Sequence, residues 1–410
     1  MPGPPLMQLT IVTAHYHPDV AATGQLLTEL GEGLTRMGCD VSVYTTHPTL
    51  GPRGDTPGFE IHEGVRIHRV FGTRMDKNTL LGRVLNAASF FISVFATLLI
   101  SRASGPLMIV SNPPFLAFAG YLLKRLRGRP YVYLVHDVFP DAAVVLGYIS
   151  PGGVVRRMWD QVNRLIVRNA SRVVVLSDSM KRIMMAKAGA GADDPARFRV
   201  IHNWADGEFI RPLPKSRNAF AQKHGLQDSF VVLYSGNMGL GHNLEMVIEA
   251  ADRLRDRKMV FLFIGDGGKR RKLESMVAER ALENVRFLPY QPRETLPCSL
   301  TCGDVSLVAM EKGIGGIQMP SKLYTILASG TPAIALVEEG SDISQIIANA
   351  GCGRSVLPGD VEGLVMALQA YESDRAASER EGAAGRAYFE AHFTRARASR
   401  EYLEVVRAVQ

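Results

Sequence analysis

Cysteine is scarce, with four in 410 residues at Cys39, Cys298, Cys302 and Cys352. That rules out a disulfide scaffold. Although Cys298 and Cys302 are near neighbours, no second Cys/His cluster completes a zinc site. The expectation is free thiols in a reducing, cytoplasmic compartment and no metal. A basic stretch leading into an apolar core is missing from the N-terminus, so no signal peptide is expected, and residues 1–6 read as a leader before the first strand. Charged residues make up only 21% against 46% apolar, which describes a globular chain, and the length predicts two domains. The charge that exists is unbalanced, at +7, and favours an acidic partner such as a phosphate or an anionic lipid. With no basic stretch interleaved with aromatics and no binding motif, nucleic acid is not among the expected partners.

The chain does contain a repeated unit of apolar strand, glycine loop and helix. Residues 9–14 (LTIVTA) read as a buried strand, followed by Thr23-Gly24-Gln25, a helix pattern from Leu26 to Met37, and a second strand at 41–44. This is the doubly wound α/β pattern, which binds ligands at the carboxyl ends of its strands. A full G-x-G-x-x-G is absent, so a dinucleotide fingerprint is not supported. Residues 60–70 alternate around Gly64 as a hairpin, with His62 and His68 on solvated faces. Residues 131–135 form a strand running into His136 and Asp137, which places that pair at a ligand end.

Two segments raise the question of a membrane. Residues 84–100 carry no charge; they read as a buried helix, with insertion in the membrane interface as the alternative. Residues 155–166 gather Val155, Met158, Trp159, Val162, Leu165 and Ile166 on one helical face. Arg156, Arg157, Arg164 and Arg168 lie off it, and Lys124, Arg125, Arg127 and Arg129 are close in sequence. This helix either packs on the sheet or docks on anionic lipid.

After Pro212 and Pro214 a second α/β series begins, with the domain boundary expected after residue 207. Its strands 231–236, 259–264 and 285–288 run into loops holding Gly236-Asn237-Met238-Gly239 with His242, Gly265 and Gly267 with Lys269, and Tyr290. A strand at 304–309 leads to Glu311 and then to the stretch 313–332, GIGGIQMPSKLYTILASGTP. A helix over 322–328 is expected there, capped by Ser321 and closed by Gly330. Its free first-turn N–H groups and Lys322 form a seat suited to a diphosphate. The tail reads as three helices, with residues 391–410 forming the last.

The order of these motifs resembles family 4 of the GT-B glycosyltransferases over nearly the whole chain, and within it the bacterial branch that builds polysaccharides. The residues that carry the resemblance are Thr23-Gly24-Gln25, His136-Asp137, VIHNWAD (200–206), YSGNMG (234–239), FIGDGG (263–268), MPSKLY and ASGTP (319–332), and NAGCG (349–353). The resemblance implies two Rossmann-like domains facing a cleft, the first (1–207) for the acceptor and the second (208–390) for a nucleotide sugar, with a last helix crossing back to the first. It implies a retaining, metal-independent transfer from a nucleotide-diphosphate sugar, with UDP expected, to a glycan acceptor. The basic helix and the uncharged 84–100 segment, not the resemblance, are what suggest a lipid-linked (polyprenyl-linked) acceptor and a cytoplasmic enzyme peripheral on the inner face of the membrane. His136 and Lys322 would be catalytic. Gly24, Gly236, Asn237, Gly239, His242, Gly265, Gly267, Lys269, Tyr290, Glu311, Ser321, Leu323 and Thr325 would lie on the donor side, and Thr23, Gln25 and Asp137 on the acceptor side.

The chain also departs from the family pattern. An Arg and a Lys usual after the first strand of the second domain are replaced by Asn237 and His242. A spaced pair of glutamates aligns with Ile317 and Thr325. Lys322 and Lys269 are the candidates to supply the missing charge, and Glu311 the missing acid. The rival readings are a sugar-nucleotide epimerase of the same architecture and a non-catalytic sugar-nucleotide-binding scaffold.

Overall fold

The computed structural model describes residues 7–19, 21–48, 56–76, 79–192 and 194–410. The leader expected over 1–6 lies outside them. The chain forms two compact units, Met1–Asn203 with Arg395–Gln410, and Trp204–Thr394. The break thus precedes Trp204 instead of following residue 207, because the segment after it is held by the second unit. Arg386 donates to the carbonyls of Gly207 and Ile210 at 3.0 and 2.8 Å, and Ala205 bridges to Thr394.

The first unit runs β1 (Met7–Val12), α1 (Ala22–Arg36), β2 (Cys39–Thr45), β3 (Phe59–His62), β4 (Val65–Arg69), α2 (Leu80–Ile100), β5 (Leu107–Val110), α3 (Leu116–Arg127), β6 (Tyr131–Val135), α4 (Asp141–Val145), α5 (Val154–Asn169), β7 (Arg172–Val175), α6 (Asp178–Ala188) and β8 (Phe198–Val200). The sheet order is β3-β4-β2-β1-β5-β6-β7-β8, parallel except for the β3–β4 hairpin. The central strands β5 and β6 are buried along their whole length, as their uniform apolar runs require in a sheet covered on both faces. His62 and His68 are ring-packed more than solvated: His62 stacks on His17 at 3.6 Å and His68 on Tyr44 at 4.8 Å.

The second unit contains α7 (Ala219–Lys223), β9 (Phe230–Ser235), α8 (Glu245–Arg253), β10 (Met259–Ile264), α9 (Arg270–Glu279), β11 (Val285–Leu288), α10 (Leu296–Leu300), β12 (Val305–Ala309), α11 (Lys322–Ser329), β13 (Ala333–Leu336), α12 (Asp342–Ala350), β14 (Gly353–Val356), α13 (Val361–Ser373) and α14 (Arg375–His392). Its six strands are parallel in the order β11-β10-β9-β12-β13-β14. The order reverses between β9 and β12, where loops diverge and leave room for a ligand. The sequence pattern gave no sign of β14. Gly353 makes its pairing with β13 fit, since a Cβ there would lie 1.9 Å from the Ala333 carbonyl oxygen.

The last helix, α15 (Arg395–Arg407), belongs to the first unit and packs on α1. Arg395 donates to the Glu32 carboxylate at 2.5 Å and to the Glu29 carbonyl at 3.2 Å. Gly33 lets the helices touch, because a Cβ there would meet the Ser399 hydroxyl at 2.3 Å.

Two helices of the first unit depart from the expected burial. In α2 only Gly82, Phe90, Val94 and Leu98 are buried, so it is not the buried helix that its lack of charge implied. In α5 the buried residues are Asn163, Ile166 and Val167, while Val155, Met158 and Leu165 are exposed. Periodicity identified the apolar face of α5, but only Ile166 on it is buried, Trp159 and Val162 are half-buried, and the rest faces solvent.

Candidate functional site

In the second unit the loops after β9 and β10 lie against each other. The Met238 amide donates to the Asp266 carbonyl at 2.8 Å, and the Lys269 amide to the Met238 carbonyl at 2.9 Å. Gly236, Gly265 and Gly267 adopt φ of +126, +135 and +152°, open only to residues without a Cβ. A Cβ on Gly265 would lie 2.1 Å from the Gly236 carbonyl oxygen, and one on Gly267 would lie 2.6 Å from the Met238 backbone. Two of these glycines therefore serve loop-to-loop packing directly. The half-buried Gly239 donates its amide to His242 Nδ1 at 3.2 Å.

Helix α11 starts beneath these loops. Gly330 closes it in the left-handed conformation, at φ 69°, as expected. Ser321 makes no side-chain cap. Its own φ and ψ are helical, so its hydroxyl does not turn back over the first amides as a capping residue would. The Leu323 amide is already used, donating to the Pro320 carbonyl at 3.3 Å, and that of Tyr324 donates to Ser321 at 3.2 Å. Among the described residues no protein hydrogen bond engages the amides of Ser321 and Lys322. The seat narrows to those two.

The Lys322 side chain completes it. Its Nζ is buried, has no hydrogen-bond partner among the described residues, and sits 3.6 Å from the centre of the Tyr234 ring. Burial pushes its pKa down from 10.5 to about 7. A buried ammonium facing only a ring is poorly compensated, and an arriving anion would restore the lost solvation. Tyr234 is fixed in turn: its hydroxyl donates to the Asn237 carbonyl at 2.7 Å and lies 3.1 Å from His242 Nδ1. Burial, aided by the Lys322 charge, drives the His242 pKa down to about 3. His242 is therefore neutral and does not replace a missing cation.

Lys269 does not replace it either, which corrects the expectation from sequence. Its ammonium is spent on the His242 carbonyl at 2.8 Å, the Glu245 carboxylate at 2.9 Å and Glu311 at 2.6 Å. Burial raises the Glu245 pKa, but hydrogen bonds from Lys272 and Lys269 outweigh it and hold the group at about 2. Glu311 is thus a partner of Lys269, with its backbone amide bonded to the Gly241 carbonyl at 2.8 Å. Thr325 turns its hydroxyl back to the Lys322 carbonyl at 2.9 Å, Ile317 is buried, and Tyr290 is exposed. The strand ends also bring in Glu338, which sequence reasoning missed. It accepts the Gly313 amide at 3.1 Å and lines a shallow open cleft with Glu311, Gly315, Gly316 and Met319. Its place just beyond β13 was the available signal.

In the first unit the neighbouring strands β1, β5 and β6 bring three loops to one sheet edge. The Ser111 hydroxyl after β5 accepts the amides of His136 and Asp137 at 3.0 and 3.1 Å. Burial lowers the His136 pKa to about 4, so at neutral pH it is an uncharged imidazole fit for hydrogen bonding. Thr23, Gly24 and Gln25 form the first turn of α1, and Gly24 is packed under the β1 loop, 3.3 Å (as a Cβ) from the Asp19 carbonyl oxygen. That loop holds a pair the sequence reading passed over. His15 Nδ1 lies 2.6 Å from the Asp19 carboxylate, whose other oxygen accepts the Ala21 amide at 3.1 Å. The Asp19 side chain is 2% exposed and that of His15 25%, so the carboxylate fixes the ring while the imidazole reaches the surface.

Comparisons with known proteins agree with this architecture. A family model described as a glycosyl transferase 4-like domain matches residues 22–204, and one described as glycosyl transferases group 1 matches residues 216–388. The chain is 31% identical to the Escherichia coli protein named putative colanic acid biosynthesis glycosyl transferase WcaI, covering 88% of this chain and 91% of that one. It is 31% identical to the probable glycosyltransferase WbjE of Pseudomonas aeruginosa, over 82% and 80%. Among solved structures, Anabaena HepE in complex with UDP and glucose superposes with a TM-score of 0.74 at 15% identity, over 98% of this chain and all of that one (100%). Sucrose-phosphate synthase from Thermosynechococcus elongatus superposes at 0.76 and 18% identity, over 98% of each chain.

Proposed function

The chain belongs to the glycosyltransferases, with a group 1 domain and the GT-B fold, and on that premise we propose that it moves a sugar from a nucleotide-diphosphate sugar to a glycan or polyprenyl-linked acceptor in bacterial cell-surface polysaccharide synthesis. UDP is the expected nucleotide, the transfer retains the anomeric configuration, no metal is required, and the enzyme works in the cytoplasm at the inner face of the membrane. The observation that carries this reading is the buried Lys322 ammonium beside two amides at the start of α11, none of them with a hydrogen-bond partner among the described residues. Glycosyl transfer breaks the bond between the sugar's anomeric carbon and the diphosphate, leaving the electron pair on the diphosphate. A fixed cation and fixed amides stabilise that charge as it forms. With Lys269 and His242 unable to help, Lys322 carries the task, and it offers the neutralisation that a metal would otherwise supply. The neutral His136 imidazole suits a hydrogen bond to a sugar hydroxyl. The choice of UDP draws on HepE, whose complexes hold UDP and glucose.

A thermal-shift screen against UDP, GDP, ADP and their sugar conjugates tests the donor class. A ligand at 100 times its dissociation constant adds about 2.7 kcal/mol. Lys322→Ala should lower turnover at least about 100-fold, the scale of losing a key oxyanion donor. Stabilisation by UDP, transfer that survives EDTA and a product of retained configuration are the expected results. No stabilisation by any nucleotide would overturn the reading, and conversion of the donor with no acceptor present would point to an epimerase.

A further inference from the structure

We infer that α2 and α5 form a lipid-docking face, on which the first unit rests in the plane of an anionic bilayer with α2 lying in the interface rather than crossing it. The inference deepens the membrane reading above by naming the surface.

It rests on how α2 is built. The helix is 21 residues long, and its most apolar 18 residues have a mean hydropathy of 1.8, yet only 17% of them are buried. Phe90, Val94 and Leu98 recur every fourth residue and face the fold, where α2 packs on α3. Asn86 and Ser89 are also engaged, holding the Met75 and Thr73 amides at 2.9 Å. What remains is a second apolar stripe through Leu81, Val84, Leu85, Ala88, Ile92 and Ile100, all exposed. A surface helix ordinarily shows a polar face outward. Here α2 has apolar residues on both sides, and Arg83 is its one charged residue.

The stripe is continued by a second helix. Helix α3 lies between α2 and α5. Ring contacts carry the surface across: Phe91 stacks near Phe118 at 6.5 Å, and Phe115 meets Trp159 at 4.6 Å. On α5 the exposed apolar residues are Val154, Val155, Met158 and Leu165. Two helices flanking α3 thus turn apolar residues to solvent, beyond what scattered exposure produces.

Charge selects the occupant. The three helices together carry eight Arg and Lys against one acid, Asp160, and Asp160 is itself bonded to Lys187 at 2.9 Å. Not all of that charge is available. Lys124 is spent on the Asn169 carbonyl, Arg127 on Leu99 and Ser101, and Arg168 on Ala188 and Ala190. Arg125, Arg157 and Arg164 stay exposed, with no ion pair among the described residues. A second copy related by a twofold axis would set these like charges against each other. An anionic leaflet would neutralise them while burying the apolar stripes. Crossing the bilayer is disfavoured because the Phe90, Val94 and Leu98 face would have to leave the fold, and both ends of α2 return to strands of one sheet.

The test is co-sedimentation of the full chain with vesicles of phosphatidylcholine, with and without phosphatidylglycerol, in the absence of donor and acceptor. Its outcome is therefore independent of whether the protein transfers sugar. Binding should need phosphatidylglycerol and weaken as salt is raised. Ile92→Gln with Met158→Gln should lower partitioning at least about tenfold, and Arg125→Gln and Arg157→Gln about fivefold each, the worth of one basic residue at an anionic surface. Trp159 emission should shift to the blue on vesicles, while the Ile92→Gln/Met158→Gln protein keeps the wild-type circular dichroism and melting profile. Wild-type protein that stays in solution at low salt overturns the inference. So does a dimer in light scattering that the same two substitutions dissociate, since the stripes would then belong to a second copy.

Discussion

Replacing Lys322 by methionine should make the unliganded protein more stable while destroying its affinity for a diphosphate. The side chain keeps its length and loses only the ammonium, which is buried with no hydrogen-bond partner among the described residues. The sign follows from the direction of the shift. The folded pKa, about 7, lies below the unfolded value of 10.5, so between those limits the folded protein binds fewer protons than the unfolded chain and its stability rises with pH. The penalty is full below pH 7. At about 1.4 kcal/mol per pH unit, its ceiling is about 5 kcal/mol. The Tyr234 ring, 3.6 Å away, offsets about 1–2 kcal/mol of that. Lys322→Met should therefore gain about 3 kcal/mol at pH 6, and the advantage should shrink by about 1–2 kcal/mol by pH 9 as wild-type Lys322 neutralises. Urea unfolding of both proteins at pH 6 and pH 9, with hydrogen exchange in α11 to report the second unit, gives the measurement. UDP should then stabilise the wild type and not the variant. A variant less stable than wild type at pH 6, or one with the same pH slope, would show that the ammonium is already compensated and refute the reasoning.

Three further outcomes follow from the geometry. Gly265→Ala should destabilise the second unit by at least about 2 kcal/mol, because φ is +135° and the new Cβ would lie 2.1 Å from the Gly236 carbonyl oxygen; a melting curve within a degree of wild type would contradict this. Lys269→Met should cost about 3 kcal/mol of stability by leaving Glu311 unpaired and Glu245 with Lys272 alone, and should raise the Glu245 pKa from about 2, which an NMR pH titration would register; unchanged stability would mean that the cluster is dispensable. His15→Ala and Asp19→Asn should weaken acceptor use, seen as a raised acceptor KM with donor binding unchanged, since Asp19 fixes the His15 ring at the β1 end; equal effects on donor and acceptor would argue against that placement.

The start of α11 was legible because it is local. A glycine loop, Lys322, eight helical residues and Gly330 in a left-handed turn form one continuous stretch, and their geometry follows from residue type. The strands were legible for a similar reason: β5, β6, β9 and β10 are short apolar runs ended by polar or glycine residues, and both faces must be covered. Ser321 was misread because capping depends on its φ and ψ as well as on its hydroxyl. Lys269 was misread because its partners, Glu245 and Glu311, come from other loops, and spacing along the chain carries no information about them. The His15–Asp19 pair was within reach, four residues apart, but a histidine near an aspartate is common, and only the 2.6 Å contact distinguishes this one.

The sequence by itself determined the doubly wound α/β class, the two-unit series, the loops that end at the ligand side of each sheet, and the cation at the start of α11. These depend on residue type and short-range spacing. Only the tertiary structure decided which cation is free, because Lys322 and Lys269 carry the same charge and differ only in whether carboxylates from other elements surround them. It also decided that the apolar stripes of α2 and α5 face outward. Periodicity places residues on a face of a helix, but which face meets the core depends on the neighbours that the fold supplies.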